Sequence, residues 1–230
     1  MLKENLKNVQ KKIAAACEKV GRNPEEVCLI AVSKTKPLEN IETLMEEGQM
    51  EYGENYVQEL CAKYEQVSRP VHWHMIGHLQ RNKVKYIIDK TVLIHSVDSV
   101  ALARQIEKEA AKKDIVADIL IQVNIAEEET KFGLSGQEVS SMVMEISSLP
   151  HVHIRGLMTS APFVENPEEN RCYFKKLHEL FVDIREKNID NVDMDILSMG
   201  MTNDYEIAIE EGATMVRVGT GIFGERNYNK

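Results

Sequence analysis

The stretch CLIAVSKTKPLENIETLMEEG, residues 28–48, contains the pattern that decides the fold. Its first part, Cys28 to Lys34, is a short apolar run that ends in polar residues, which is typical of a strand buried on both faces. Pro37 then begins a helical segment that Gly48 closes, because proline suits the first turn of a helix and glycine suits its end. The stretch therefore predicts one strand–helix unit of an α/β protein.

The same alternation of short apolar runs and helical periodicity repeats along the rest of the chain. Further strands are predicted near Glu51–Gly53, His72–Ile76, Val92–His95, Ile119–Asn124, His153–Met158, Asp195–Ser198 and Thr214–Val218. Helices are predicted at Val57–Gln66, Asn82–Ile88, Ser99–Lys112, Gly136–Ser147, Pro167–Glu186 and Asp204–Gly212. About eight strands with helices between them favour a closed (β/α)8 TIM-like barrel, with an open doubly wound sheet as the alternative.

An additional helix precedes the first strand. Residues 4–20 carry the apolar residues Leu6, Val9, Ile13 and Ala16 at helical spacing. This N-terminal helix either plugs the bottom of the barrel or packs at its side. The chain has no linker of Pro, Gly and Ser and no internal repeat, so residues 1–230 are expected to form a single domain.

The composition excludes several classes of protein. Hydrophobic residues make up 43%, enough for a globular core, and the formal net charge of −9 argues against sequence-independent binding to nucleic acid. No run of 18 apolar residues occurs, so no membrane span is expected. The four scattered cysteines are expected to be reduced thiols, which predicts a cytoplasmic protein.

Lys34 stands directly after the first predicted strand. Active sites of such barrels lie at the C-terminal ends of the strands, so this side chain is expected at the barrel mouth. An apolar mouth would lower the pKa of the amine, and a neutral amine forms Schiff bases with aldehydes. The alternative is a surface lysine at a strand–helix junction. Lys36 lies beside Pro37 and is expected to be the solvated lysine of the two.

Two loops rich in glycine and hydroxyl groups follow the last two predicted strands. One is LSMGMTND, which contains Ser198, Gly200 and Thr202, and the other is RVGTGIFG, which contains Gly219 and Thr220. Barrels often bind phosphate with these two loops, because glycine lets the backbone approach an anion and hydroxyl groups donate to it. Ordinary turn chemistry is the alternative.

Other polar residues in the predicted strands or at their ends have more than one possible role. Arg217 lies inside the last strand and requires a ligand or a structural ion pair, because an unpaired buried charge is costly. Asn55 either contacts a ligand or caps the following helix. His72, His74 and His78 suggest a three-histidine metal site, but no glutamate or cysteine completes the set, so no metal is predicted.

Several segments together resemble a known family, the YggS-type pyridoxal phosphate homeostasis proteins. They are AVSKTKP, GENYVQE, HWHMIGHLQRNK, KFGL, IRGLMTS, LSMGMTNDYEIAIEEGATMVRVGT and IFGERNY. The resemblance runs from about residue 5 to the C-terminus and implies a fold similar to the N-terminal barrel of alanine racemase. It also implies that pyridoxal 5′-phosphate is the cofactor.

The resemblance assigns roles to nine residues. Lys34 corresponds to the Schiff-base lysine, and Arg217 corresponds to the residue that faces the pyridine nitrogen. Asn55 and Met158 correspond to residues that line the cofactor. The phosphate-binding positions correspond to Ser198, Gly200, Met201, Gly219 and Thr220. Thr202 replaces a serine that is frequent in the family and keeps the hydroxyl group.

The resemblance implies a monomeric cofactor-binding protein that stores, buffers or delivers pyridoxal phosphate, with pyridoxal-phosphate-dependent apoenzymes as recipients. The alternative is an amino-acid racemase, which needs an acid or base on each face of the α-carbon. In the racemases that the family resembles, the second group comes from an additional C-terminal domain. The chain is expected to lack this domain, because Lys230 follows shortly after the eighth unit.

Overall fold

The chain folds into a closed barrel of eight parallel strands, which follow one another around the barrel in sequence order. A computed structural model describes residues 1–126, 133 and 136–225. The strands are β1 (Cys28–Val32), β2 (Glu51–Glu54), β3 (His72–Met75), β4 (Leu93–Val97), β5 (Ala117–Gln122), β6 (Val152–Met158), β7 (Val192–Met201) and β8 (Met215–Val218). The predicted barrel is confirmed, and the alternative of an open sheet is wrong.

Helices cover the outside of the barrel. They are α1 (Leu2–Lys19), α2 (Leu38–Met45), α3 (Val57–Gln66), α4 (Val84–Ile87), α5 (Val100–Ala111), α6 (Gly136–Ile146), α7 (Arg171–Arg185), α8 (Tyr205–Glu210) and α9 (Thr220–Phe223). Short 3-10 turns occupy Pro24–Glu26, Arg81–Lys83 and Pro167–Asn170. Within the described residues, none of the helices combines the length and the apolar character that crossing a lipid bilayer requires.

The barrel closes through the pairing of its first and last strands. Ala31 of β1 pairs with Tyr52 of β2 on one side and with Val218 of β8 on the other. Residues that follow β1 therefore lie beside residues that follow β8, although they are far apart in sequence. This closure is what places Lys34 near the loop that begins at Gly219.

The N-terminal helix α1 packs at the side of the barrel, which settles the two alternatives left open by its sequence. Its neighbours are α2, α8 and α9. Leu6 and Cys17 of α1 are fully buried in this interface, and the Nζ atoms of Lys12 and Lys19 contact Glu206 and Glu210. Helix α1 thus extends the outer layer and leaves the barrel mouth open.

Two of the segments that carry the family resemblance lie partly outside the described residues. Of the segment KFGL, the structure describes Gly133 alone, and IFGERNY is described as far as Glu225. Strand β7 is longer than predicted, since it runs from Val192 to Met201 rather than from Asp195 to Ser198. Exposed Asp193 and Asp195 alternate with more buried neighbours, which hides the start of this strand from a search for apolar runs.

Candidate functional site

A cavity of about 1000 Å³ opens at the C-terminal ends of the strands. Because the side chains that follow the strands converge there, it collects most of the predicted site residues. Those that line it are Lys34, Asn55, Met158, Met201, Arg217, Gly219 and Thr220. Lys83 from the 3-10 turn after β3 also lines the cavity, so two lysines face it among the described residues.

Neither Asn55 nor Asp204 caps a helix with its side chain. Helix α3 has Tyr56 at its N-cap without a side-chain hydrogen bond, so Asn55 lies outside that helix and lines the cavity instead. Asp204 precedes α8, but its carboxylate accepts from the Met201 N–H at 2.7 Å and from Asn170 at 2.8 Å. It therefore fixes the loop after β7 rather than the first turn of α8.

Thr202 connects the two loops that were predicted to bind phosphate. Its Oγ1 accepts hydrogen bonds from the N–H groups of Gly219 at 3.2 Å and Gly221 at 3.3 Å. The hydroxyl proton of Thr202 remains as a donor, because these two bonds use only acceptor capacity. The loops after β7 and β8 thus form one continuous rim of the cavity.

Ser198 and Gly200 lie beneath the cavity wall rather than on it. The Ser198 side chain is fully buried, and its Oγ contacts Arg217 and His95. Gly200 has a φ of +91°, and a Cβ there would lie 2.6 Å from the Cβ of Ala208. The glycine is needed because α8 packs directly against the end of β7 at this point.

Arg217 contributes a buried positive charge to the cavity. Its Nη1 donates to Ser198 Oγ at 2.6 Å, and its Nη2 donates to the Thr159 carbonyl at 2.7 Å. Burial lowers the pKa of Arg217 to about 10, so the group is still a cation at neutral pH. The structural ion pair that was the alternative reading is not found within the part of the chain that the structure describes. An anionic or hydrogen-bond-accepting ligand would supply the missing partner.

A chain of hydrogen bonds runs from Arg217 through the barrel interior to Glu51 at the opposite end. Ser198 Oγ lies 3.0 Å from His95 Nδ1, and His95 Nε2 lies 3.0 Å from His74 Nδ1. His74 Nε2 then lies 2.7 Å from Glu51 Oε2. One proton arrangement satisfies every link with both rings neutral: each group donates to the next, from Arg217 to Glu51. In this arrangement Ser198 is fixed as an acceptor for Arg217.

The three histidines that the sequence suggested as metal ligands contact carboxylates in two different places. His72 and His74 both contact Glu51, whereas His78 pairs with Asp98. His95 was not recognised from the sequence, although alternation along β4 places it on the same inward face as Leu93. Lys36 is not simply solvated as expected, because its Nζ donates to the carbonyls of Phe223, Gly224 and Glu225 at 3.2 Å each.

The burial of His95 makes the stability of the barrel depend on pH. Desolvation, and secondarily the neighbouring His74 and Arg217, hold the pKa of His95 well below its ordinary value of 6.5. Below that value the unfolded chain takes up a proton that the folded chain does not bind. Acidification below about pH 6.5 therefore favours unfolding, and we expect this histidine alone to lower the unfolding free energy by up to about 1.4 kcal/mol per pH unit.

The measurement is urea unfolding at a series of pH values, with the ligand-free wild type beside a His95→Gln variant. The two curves of unfolding free energy should run parallel above about pH 7.5, where neither state binds the proton. Below the ordinary histidine pKa, the wild-type free energy of unfolding should fall more steeply with decreasing pH than that of the variant. The difference in slope should correspond to the uptake of one proton on unfolding. Parallel curves over the whole range would contradict the assignment of a neutral His95.

The fold and the cavity define the class to which the protein belongs: an α/β barrel with a lysine and a buried arginine facing one mouth. The family model for the alanine racemase N-terminal domain matches residues 4–227. A "Pyridoxal phosphate homeostasis protein" of Aquifex aeolicus is 47% identical over 226 residues, which cover 98% of each chain. The chain therefore belongs to the family of the pyridoxal phosphate homeostasis proteins, as its motifs predicted.

Solved structures agree with this assignment. PipY of Synechococcus elongatus, determined with PLP bound, superposes with a TM-score of 0.85 at 31% identity and covers 97% of this chain and 100% of its own. An alanine racemase of Clostridium difficile superposes with a TM-score of 0.76 at 17% identity, over 99% of this chain and 57% of the racemase. The second likeness bears on the barrel fold alone.

Proposed function

We propose that this chain binds pyridoxal 5′-phosphate in the strand-end cavity and serves intracellular homeostasis of that cofactor by storing, buffering or delivering it. The observation that carries the proposal is the meeting of Lys34, the buried cation Arg217 and the loop at Gly219 and Thr220 in one cavity. The names of the curated relatives and the PLP bound in PipY support it.

The residues of the cavity fit the chemical groups of the cofactor. Pyridoxal phosphate brings an aldehyde, a ring nitrogen and a phosphate, and a site for it needs an amine, a partner for the nitrogen and anion-binding donors. The cavity offers Lys34, Arg217 and the joined loops that carry Thr202 and Thr220. Its volume of about 1000 Å³ leaves ample room for a small cofactor.

Each residue has a distinct proposed role. Bound pyridoxal phosphate supplies an aldehyde that reacts with primary amines. Lys34 Nζ attacks the aldehyde carbon as a neutral amine, a carbon–nitrogen double bond forms as a Schiff base, and the aldehyde oxygen leaves as water. Arg217 donates a hydrogen bond toward the ring nitrogen, because a guanidinium has donors and no acceptor. Asn55 and Met158 line the walls beside the ring.

The phosphate is assigned to the rim formed by Met201, Gly219 and Thr220. The further assignment of Ser198 and Gly200 to the phosphate stays a prediction. In the structure, Ser198 accepts a hydrogen bond from Arg217, and Gly200 allows α8 to pack against the end of β7. We therefore expect both residues to support the site from beneath the cavity wall.

The remaining features of the proposal concern the whole protein. We assign residues 1–230 to a single domain that works as a monomer in the cytoplasm and hands the cofactor to apoenzymes without turning over a substrate. The four cysteines are all unpaired, which suits a reducing compartment. The relatives are named for homeostasis rather than for a reaction, which supports the absence of turnover.

The test uses the purified wild-type protein. Addition of pyridoxal phosphate should produce the visible absorbance band of a Schiff base, and borohydride should fix the cofactor on the peptide that contains Lys34. A protein that stays colourless, or a label on another lysine, would overturn the proposal. Incubation of the loaded protein with L-alanine separates the two functions, since formation of D-alanine would identify a racemase.

A further inference from the structure

The turn that carries Lys34 has an unusual backbone conformation. Strand β1 ends at Val32, and Thr35 has a φ of +63°. This left-handed region is rarely occupied by a β-branched residue, since its Cβ crowds the backbone there. Residues held in such conformations need support from their surroundings, and they cluster at functional sites.

A buried ion cluster beside this turn supplies the support. The ammonium of Lys63 on α3 donates three hydrogen bonds, to Ser33 O at 2.7 Å, to Glu54 Oε1 at 2.8 Å and to Glu59 Oε1 at 2.7 Å. These bonds use all three of its protons. Ser33 and Glu54 are fully buried, and Lys63 is 8% exposed.

The cluster holds the peptide group on each side of Lys34. The Ser33 carbonyl, which belongs to the peptide before Lys34, accepts from Lys63. The Thr35 N–H, which belongs to the peptide after Lys34, donates to Glu59 Oε1 at 2.6 Å. Fixing both peptide planes fixes φ and ψ of Lys34 itself, and with them the direction in which its Cβ leaves the backbone.

The cluster is a poor device for stability alone. Burying an ammonium with two carboxylates costs desolvation that their attraction only partly offsets, so such clusters are weak evidence of stabilisation. The Oε2 atom of Glu54 is buried without a hydrogen-bond partner among the described residues, which adds to the cost. Its geometric effect on the lysine turn is the better explanation for its presence.

We propose that Lys63, together with Glu54 and Glu59, is a positioning residue for Lys34: it orients the amine toward the aldehyde of the bound cofactor. This inference rests on the proposed function and adds residues that do not touch the cofactor. Neither Lys63 nor Glu54 lines the cavity. Their effect should therefore fall on formation of the carbon–nitrogen bond and spare the contacts made by the phosphate and the ring.

The experiment compares two ligands on a Lys63→Met variant of the full chain. Pyridoxal 5′-phosphate has the aldehyde, whereas pyridoxine 5′-phosphate has an alcohol in its place and cannot form the bond. The affinity of the variant for pyridoxal 5′-phosphate should fall roughly tenfold to a hundredfold. This is the scale expected when a reacting group, here the Lys34 amine, is displaced by about 1 Å. Affinity for pyridoxine 5′-phosphate should change by less than about twofold.

Two further variants guard against a general loss of structure. Arg155→Met removes another cation that two carboxylates hold, Asp118 and Asp195, and it should leave both affinities unchanged. Glu59→Gln keeps an oxygen for the Thr35 N–H, removes the charge and should give a smaller loss of the same selectivity. It carries the test if Lys63→Met does not fold.

The outcomes separate this inference from the proposed function. If the wild type forms no Schiff base, both are overturned. If the wild type forms it and Lys63→Met binds the aldehyde as tightly, or loses affinity equally for both ligands, only the positioning role is overturned. In a Lys34→Ala background, adding Lys63→Met should change neither affinity further, because the group being positioned is absent.

Discussion

A Lys34→Ala variant is expected to fold as the wild type does and to lose the Schiff-base absorbance band completely. Lys34 is only partly buried at the cavity wall, so its truncation removes little packing. The loss of the covalent bond should weaken cofactor binding by at least about a hundredfold, equivalent to about 2.8 kcal/mol. Titration with pyridoxal phosphate, followed by absorbance, measures the loss of the Schiff-base band. A competition assay measures the loss of affinity.

The matched control is Lys83→Ala, since Lys83 is the other lysine that lines the cavity in the described part of the chain. This variant should keep the band and should still be labelled on Lys34 after borohydride reduction. Pyridoxal phosphate should raise the unfolding temperature of Lys83→Ala and of the wild type but have little effect on Lys34→Ala, because ligand stabilisation follows affinity. If Lys83→Ala lost the band and Lys34→Ala kept it, Lys83 rather than Lys34 would form the Schiff base, and the proposal would be wrong.

A Gly156→Ala variant is expected to lose roughly 4 kcal/mol or more of unfolding free energy, or not to fold. Gly156 lies in β6 with a φ of +149°, and a Cβ there would stand 1.8 Å from the carbonyl oxygen of Ile196. The obstacle is backbone of the paired strand β7, so a side-chain rotation cannot relieve it. The two strands must separate, which breaks the barrel wall.

Urea unfolding of Gly156→Ala beside Gly48→Ala isolates the steric effect. Gly48 also has a positive φ, of +85°, but nothing lies within 4 Å of a Cβ at that position. Its replacement should cost only the conformational penalty of about 1–2 kcal/mol. Equal losses in the two variants would mean that β6 and β7 can adjust to the methyl group.

The barrel could be predicted because each strand has a sequence pattern that is recognisable without knowledge of the rest of the fold. Buried parallel strands are short apolar runs, and the helices between them have a different period, so one unit such as residues 28–48 indicates the class. The position of α1 could not be predicted, since an amphipathic helix reveals that it has a buried face and not which surface covers it. Its packing against α8 and α9 depends on residues more than 180 positions away.

The candidate site was predictable in part for the same reason. Lys34 and Arg217 stand out because charged residues are unusual at the ends or in the middle of buried strands. Lys63 looks like an ordinary exposed lysine of a helix, and only the packing of α3 against β1 and β2 reveals its burial. The contact between His95 and Ser198 spans the barrel, so no local pattern marks it.

The pairing of β1 with β8 also has a consequence for biosynthesis. A chain leaves the ribosome from its N-terminus at roughly 5–20 residues per second, so Lys34 emerges long before Arg217 and Gly219. Until the last strand docks, β1 presents an unpaired edge on which another chain can pair. The closing strand removes that aggregation hazard and completes the cavity at the same moment. A nascent chain therefore becomes able to capture its ligand only when it also becomes safe from misassembly.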